Sequence, residues 1–312
     1  MRREGSPWQG LGVVVLKELS DHLTGARMRV LELLVVLTAL AAVYAAITQV
    51  RDSTAQDPFL FLRLFTTARD PLPSFVSFIG FLAPLMAIGL GFDSVNSEHS
   101  RRTLSRILSQ PIYRDALLFG KFIAGLATLA ISLIVLWLLV IGLGLLMLGV
   151  PPGGGEVGRM LIFLAVTIAY AGVWLALAML FSVIFRSPAT AALVTLGLWL
   201  FLTVIWPSLA PAIAQAVVPA EDQAGLVITA QMLARLSPST LFGETVLAIL
   251  HPTTRTLGPV YLSQLQGAVM GSPLPLWQSV LVAWPQIVGL VAATILLFVG
   301  GYVVFQRQEV RA

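Results

Sequence analysis

The most charged part of the sequence, SVNSEHSRRTLSRILSQPIYRDALLFGK at residues 94–121, lies between two very hydrophobic runs. Its residue types suit the binding of another protein surface. Glu98 and Arg102 stand four residues apart, where opposite charges pair on a helix, and Pro111 ends that helix because proline lacks a backbone N–H. Three apolar side chains fall on one side of the same helix: Leu104, Ile107 and Leu108. A loop that only held positive charge would need neither feature, so the pattern favours a docking surface over a solvated basic loop that fixes membrane topology.

Patterns for catalysis, metal binding and nucleotide hydrolysis are absent from the sequence. The fragment GGGEVGRM at residues 153–160 has two glycines at the separation seen in phosphate-binding loops. However, Arg159 and Met160 stand where that loop needs lysine and then serine or threonine. The chain has no cysteine, and its histidines are scattered, at His22, His99 and His251. We therefore expect no catalytic residue, no metal and no cofactor in this chain, and a separate protein as any energy source.

The docking segment must be carried by membrane-spanning helices. Of the 312 residues, 57% are hydrophobic and 11% are charged, whereas soluble domains have roughly 25% charged residues. A helix needs roughly 20 apolar residues to cross a bilayer, and no run alternates as a barrel strand would. The sequence therefore predicts an all-α membrane protein that forms one transmembrane domain over residues 1–312. Its six spans are expected at about residues 30–49, 74–92, 120–149, 160–185, 189–206 and 280–304.

Basic side chains indicate which segments face the cytoplasm. Lys and Arg total 19 against 15 Asp and Glu, a surplus that also occurs in nucleic-acid-binding proteins. Here, however, the basic residues lie beside the predicted spans, mainly before the first span, in the 93–120 segment and after the last span. Cytoplasmic segments of membrane proteins are enriched in Lys and Arg. We therefore expect a multi-pass protein with both termini in the cytoplasm and no nucleic-acid partner.

An amphipathic helix is predicted at residues 7–24, ahead of the first span. Lys17 and Glu18 fall mostly on its polar side. The apolar residues recur at helical spacing: Trp8, Leu11, Val15 and Leu19. A helix of this kind lies in the membrane interface, here at the cytoplasmic face and in contact with the lipid bilayer. The alternative is a helix packed on a soluble domain, for which the sequence offers no candidate.

The segment between the fifth and sixth spans, residues 207–279, is expected on the outer side of the membrane. It is rich in proline, and two short helices are predicted in it, at about residues 222–236 and 239–250. Many of its residues are apolar. We therefore expect this segment to pack on the outer membrane face and to offer a site for an extracytoplasmic partner.

The segment between the second and third predicted spans resembles that of ABC-2 type ABC transporter permeases. The family pattern of acidic residue, Glu, Arg, Thr-Leu, paired aliphatics, Pro, Arg and Gly-Lys is matched at Asp93, Glu98, Arg102, Thr103, Leu104, Ile107, Leu108, Pro111, Arg114, Gly120 and Lys121. The one departure is Arg102, or its neighbour, where the family has a glycine before Thr-Leu. LKEL, FRSPATAAL, LSPSTLF and FQRQEVRA agree as well, and the chain is similar in particular to permeases related to sodium exporters, gliding-machinery components and nitrous oxide reductase maturation.

The resemblance implies a half-transporter that forms a homodimer and binds two copies of a separate ABC ATPase, which would hold ATP and Mg. Segment 93–120 would contain a coupling helix seated in a groove of the ATPase, with the N-terminal interfacial helix beside it. The residues that the resemblance assigns to ATPase coupling are Glu98, Arg101, Arg102, Thr103, Leu104, Ile107, Leu108, Pro111, Arg114 and Lys121.

The function that the resemblance implies is the permease subunit of an exporter in the cytoplasmic membrane of a prokaryote. The alternative is a mechanotransmitting or assembly subunit, which would move the outer segment 207–279 to act on an extracytoplasmic protein without carrying a solute. The substrate does not follow from the residues. Spans without charge favour an amphiphilic cargo, but a path at a dimer interface could equally be lined by backbone and hydroxyl groups.

Overall fold

The computed structural model describes residues 10–52, 59–70, 72–100, 114–258 and 273–307. Within these residues nearly all of the regular structure is helical. The helices are α1 (Leu11–Thr24), α2 (Ala26–Asp52), α3 (Leu60–Thr66), α4 (Phe75–Gly91), α5 (Asn96–Ser100), α6 (Arg114–Leu148), α7 (Gly154–Ile184), α8 (Pro188–Leu200), α9 (Trp206–Val217), α10 (Gln223–Ala234), α11 (Pro238–Leu250) and α12 (Leu276–Arg307).

Six helical stretches in the described residues are long and apolar enough to cross a membrane. In chain order, and called the first to sixth spans below, they are Ala26–Val50, Phe75–Glu98, Asp115–Leu148, Gly154–Ile184, Pro188–Val217 and Leu276–Arg307. The prediction of an all-α membrane protein is thereby confirmed. Between the fifth and sixth spans lie two shorter apolar helices, α10 and α11.

The fifth span is longer than the hydrophobic run indicated. After α8 the chain makes a π-helical turn at Phe201–Ile205 and continues as α9 to Val217. Pro207 has no N–H to donate to a carbonyl one turn back, and a π-helical turn accommodates such a local interruption. The helix therefore passes the proline at which the outer segment was expected to begin.

The fourth span, α7, is the centre of the bundle. It packs against α4, α6, α11 and α12, and 67% of its most apolar stretch is buried, compared with 11% for the sixth span. Small residues allow close approach here: a Cβ added to Gly91 of α4 would lie 2.7 Å from the Cβ of Ala178. Since membrane helices associate through such packing, α7 holds the second, third and sixth spans in place.

Candidate functional site

The predicted coupling residues fall partly outside the described residues. Those that cannot be placed are Arg101, Arg102, Thr103, Leu104, Ile107, Leu108 and Pro111, together with Trp8 of the N-terminal helix. Arg114 opens α6, and Glu98 lies in α5. Two coupling residues, Glu98 and Lys121, therefore have described side chains, and they stand at the two ends of the segment.

Lys121 joins both ends of this segment to the N-terminal helix. Its side chain is 5% exposed, and its Nζ lies 2.7 Å from Glu98 Oε1 and 3.0 Å from Glu18 Oε1. Glu18 belongs to α1, Glu98 to α5 and Lys121 to α6. We call these three residues the Lys121 cluster. Because a buried ammonium group is costly unless it is paired, the cluster fixes the positions of these three helices relative to one another.

A second lysine extends the cluster toward solvent. Lys17 Nζ lies 2.9 Å from Glu18 Oε1 and 3.1 Å from Asp21 Oδ2, and its side chain is 62% exposed. Burial alone would raise the pKa of Glu18, but the charge of Lys121 and hydrogen bonds from Lys17 and Lys121 outweigh it, so this pKa is lowered. Burial would lower the pKa of Lys17, but its bonds to the two carboxylates raise it. Both groups are therefore charged at neutral pH.

The packing of α1 against α6 brings the cluster together. Val14 is buried in this contact, and a Cβ added to Gly120 would lie only 2.6 Å from Val14 Cγ1. Glycine at position 120 therefore lets α1 approach closely enough for Glu18 to reach Lys121. Gly120 and Lys121 are adjacent in sequence, one providing the close approach and the other the charge.

The end of the second span is held by separate polar contacts. The Arg27 guanidinium binds both carboxylate oxygens of Asp93, at 3.1 and 2.8 Å, and lies over the ring of Phe92 at 4.7 Å. The backbone N–H groups of Val95 and Asn96 donate to Ser182 Oγ, at 2.9 and 3.3 Å. The first and fourth spans thus anchor the chain at the start of segment 93–120.

The sixth span reaches the other end of the segment. Asp115, at the start of α6, accepts hydrogen bonds from the Tyr302 hydroxyl at 2.9 Å and from the Gln306 side-chain amide. The described contacts around segment 93–120 therefore involve α1 and the first, second, third, fourth and sixth spans. A displacement of this segment would act on most of the bundle at once.

The sequence did not reveal the pairing of Glu18 with Lys121. Helical periodicity placed Glu18 on the polar side of its helix, whereas the structure buries it against α6. The residues lie 103 positions apart, so local spacing carries no information about their contact. The available signal was Lys121 itself: a charge at the entrance of an apolar span needs an acidic partner.

The charged side chains of the fragment GGGEVGRM make structural contacts at the start of the fourth span. Glu156 accepts hydrogen bonds from the backbone N–H groups of Phe61 and Gly153, both at 2.8 Å. Arg159 is 2% exposed and donates to the carbonyls of Ile249 at 2.7 Å and Leu274 at 2.5 Å. A bound phosphate would have to compete with these contacts, which engage both charged side chains.

Polar side chains also fasten the short helices α10 and α11 to the sixth span. Glu244 of α11 accepts from Arg235 Nε at 2.8 Å, from Gln231 Nε2 at 3.0 Å and from Gln286 Nε2 at 2.8 Å. Gln286 is 3% exposed and lies in α12. The outer segment is thus tied to the bundle through polar groups. Within the described part of the chain, His, Asp and Glu side chains do not gather in threes as a metal site.

Comparison with known proteins places this arrangement in context. A family model described as ABC-2 family transporter protein matches residues 13–310. A probable ABC transporter permease protein NosY from Pseudomonas aeruginosa is 29% identical over 221 residues, which cover 68% of this chain and 70% of that protein. Another protein of the same name, from Stutzerimonas stutzeri, is 27% identical over 146 residues, which cover 46% of this chain and 51% of that protein.

Proposed function

The chain belongs to the ABC-2 family of transporter proteins, and from this premise we propose that it is the permease subunit of an ATP-driven exporter. The family match over residues 13–310 confirms the resemblance to ABC-2 permeases. The chain is a multi-pass membrane protein whose described residues include six apolar helices long enough to span the bilayer. The proposal adds that it lies in the cytoplasmic membrane of a prokaryote with both termini inside.

ATP hydrolysis belongs, in this proposal, to a separate ABC ATPase that binds ATP and Mg, while the present chain is not catalytic. Two ATPase copies would engage a dimer of the permease. The similarity to proteins named probable ABC transporter permease supports this division of labour. So does the fragment GGGEVGRM, whose charged side chains serve in structural contacts.

The observation that carries the coupling role is the Lys121 cluster. The proposed ATPase-docking surface comprises Arg101, Arg102, Leu104, Leu108 and Arg114, which lie between the two members Glu98 and Lys121. Lys121 Nζ lies 2.7 Å from Glu98 Oε1, so the two ends of the intervening segment are joined by an ion pair. A force on that segment would therefore act on both of its ends together. Closure of the ATPase pair would then move α1 and the third span as rigid bodies.

Co-purification tests the partner directly. The tagged full-length protein, extracted from its native membrane in mild detergent, should retain an ABC ATPase in a one-to-one ratio. Reversal of two arginines, Arg102→Glu with Arg114→Glu, should remove the ATPase while the permease remains in the membrane. The matched control is Arg69→Glu, because Arg69 is an exposed arginine outside the coupling segment that bonds only Thr48 among the described side chains. Retention of the ATPase by the double variant would contradict the assigned docking surface.

A mechanotransmitting or assembly subunit is the second candidate function. It is favoured by the outer segment, in which α10 and α11 are tied to the sixth span through Glu244, so that movement of the bundle would reach the outer face. ATPase assays in reconstituted vesicles and co-purification together separate the two functions. An exporter should show ATPase activity that its solute stimulates, whereas an assembly subunit should co-purify with an extracytoplasmic protein that binds residues 207–279.

A further inference from the structure

A cleft of about 530 Å³ opens at the elbow where α1 turns into the first span. Gly25 separates the two helices, and the end of the second span forms the opposite wall. The side chains that carry the argument below are Asp21, His22, Arg27, Met28, Leu31 and Asp93. This cleft is distinct from the Lys121 cluster and lies where the chain enters the membrane.

Arg27 offers unused hydrogen-bond donors to this cleft. Its Nη1 donates to the Gly89 carbonyl at 3.0 Å and to Asp93 Oδ1 at 3.1 Å, and its Nη2 donates to Asp93 Oδ2 at 2.8 Å. A guanidinium has five N–H donors, so two have no partner among the described residues. Asp93 holds the group in place, and 52% of the Arg27 side chain is exposed. An anionic oxygen that enters the cleft would meet an oriented donor pair.

The remaining charges in the cleft are negative. Asp21 is 60% exposed and has Lys17 at its outer edge, 3.1 Å away. Burial lowers the pKa of His22, so its imidazole is neutral at pH 7 and adds no positive charge. The charged side chains that line the cleft are therefore two carboxylates and one guanidinium, with Lys17 paired to Asp21 at the rim. This balance favours a ligand with a cationic end as well as an anionic one.

The inner wall of the cleft is apolar and leads to an exposed apolar face. Met28, Leu31 and Leu90 line its base. Beyond them, the first span exposes Val30 at 65% and Leu34 at 45%. Since this span crosses the bilayer, such a face is suited to contact acyl chains. The cleft is thus polar at its opening and apolar toward the exposed face of the first span. These two regions suit the polar headgroup and the apolar acyl chains of a phospholipid.

We propose that the elbow cleft binds the headgroup of a zwitterionic phospholipid that carries a primary amine. The two free N–H groups of Arg27 bind the lipid phosphate, and Asp21 and Asp93 accept hydrogen bonds from the ammonium group. The acyl chains lie along the exposed face of the first span. A choline headgroup has no N–H to donate to the carboxylates, and a glycerol headgroup places no cation opposite them.

Native mass spectrometry of the full-length protein tests this site. The protein is titrated in detergent with dioleoyl phosphatidylethanolamine, phosphatidylcholine or phosphatidylglycerol, all with the same acyl chains. We expect one ethanolamine lipid per chain to bind several-fold more tightly than either of the others. Asp21→Asn should weaken this binding by about threefold to fivefold, as expected for the loss of one partly exposed ion pair. Glu221→Gln, which removes an exposed carboxylate outside the cleft, should leave it unchanged.

A second variant tests the proposed contact between Arg27 and the lipid phosphate. Arg27→Lys keeps the positive charge but loses the planar arrangement of donors, and it should weaken ethanolamine lipid binding at least as much as Asp21→Asn. Equal affinity for the three lipids would overturn the proposal, since it would show a general lipid effect. Preference for phosphatidylglycerol, or unchanged binding in both cleft variants, would overturn it as well.

Discussion

Lys121 occupies a position where its charge must be balanced locally. Its side chain is 5% exposed, and its ammonium has two carboxylates within hydrogen-bonding distance, Glu98 and Glu18. Breaking a buried pair by removing one partner is far more costly than replacing the whole pair, because the remaining charge is left without compensation. Lys121 should therefore contribute much more to the free energy of unfolding than Lys17, whose side chain is 62% exposed.

Replacing Lys121 should destabilise the protein strongly. Lys121→Met leaves Glu18 and Glu98 buried beside an apolar side chain, and we expect a loss of about 3 kcal/mol or more in the free energy of unfolding. Lys17→Met is the matched control, with an expected loss below about 1 kcal/mol. The measurement is the thermal unfolding of each purified variant in detergent. Equal losses for the two variants would show that the Lys121 cluster is not the main link.

The Lys121 cluster should also make stability depend on acidity. Because the pKa of Glu18 is lowered from its usual value of 4.5, its contribution is complete above that pH and is lost as the pH falls through the lowered value. Unfolding temperatures of wild type and Glu18→Gln should therefore differ at pH 6 and converge below pH 4.5. A difference that stays constant down to pH 3 would assign the effect of the substitution to packing and not to charge.

At the scale of helices, the close approach of α1 and α6 decides whether the cluster forms. Gly120 has Val14 against it, at a distance that leaves no room for a side chain. The helices would have to separate to admit one, and Glu18 would then be drawn away from Lys121. The contact between these two helices is thus both a packing interaction and the support for an ionic one.

Gly120→Ala should therefore destabilise the protein by about 1–3 kcal/mol, the usual cost of overpacking. Val14→Ala removes the methyl groups that the new Cβ would strike, so the double variant should regain part of the loss. The measurement is a double-mutant cycle of unfolding free energies in detergent. The packing account fails if the two losses simply add, because independent sites show no coupling.

The positions of the membrane-spanning helices could be predicted from the sequence more readily than the contacts between them. The six hydrophobic runs indicated the spans because a helix needs about 20 apolar residues to cross a bilayer. This requirement is met within one continuous stretch of sequence. The continuation of the fifth span to Val217 was missed, since Pro207 normally signals an end and a π-helical turn has no clear sequence signature. The pairing of Glu18 with Lys121 was missed because it depends on the packing of α1 against α6, which no local pattern encodes.

At the scale of the whole molecule, the fourth span connects segment 93–120 with segment 207–279. Near its C-terminal end Ser182 accepts hydrogen bonds from the backbone of Val95 and Asn96, at the start of segment 93–120. Near its N-terminal end Arg159 donates to the carbonyls of Ile249 and Leu274 in segment 207–279. A helix of 31 residues is about 46 Å long, long enough to carry a rigid-body movement from one face to the other.

Arg159→Met should release the outer segment from this span. Three hydrogen bonds from a buried guanidinium are lost, to Ile249, Leu274 and Ser279, and the carbonyls are left without that donor. We expect faster amide hydrogen exchange in residues 238–250, measured by mass spectrometry, with α1 unaffected. Arg69→Met, at an exposed site, is the control. Unchanged exchange in α11 would mean that other contacts, such as those of Glu244, hold the segment.

We propose that an ATPase drives this chain through the segment between Glu98 and Lys121. The most direct measurement is ATP hydrolysis by the ATPase that co-purifies with the wild-type permease, separated from it and added back to proteoliposomes that contain either the wild type or the double variant Arg102→Glu with Arg114→Glu. The account predicts that the double variant loses the hydrolysis stimulated by the permease while it inserts in the membrane normally, and that Arg69→Glu behaves like wild type. Full stimulation in the double variant would contradict the account.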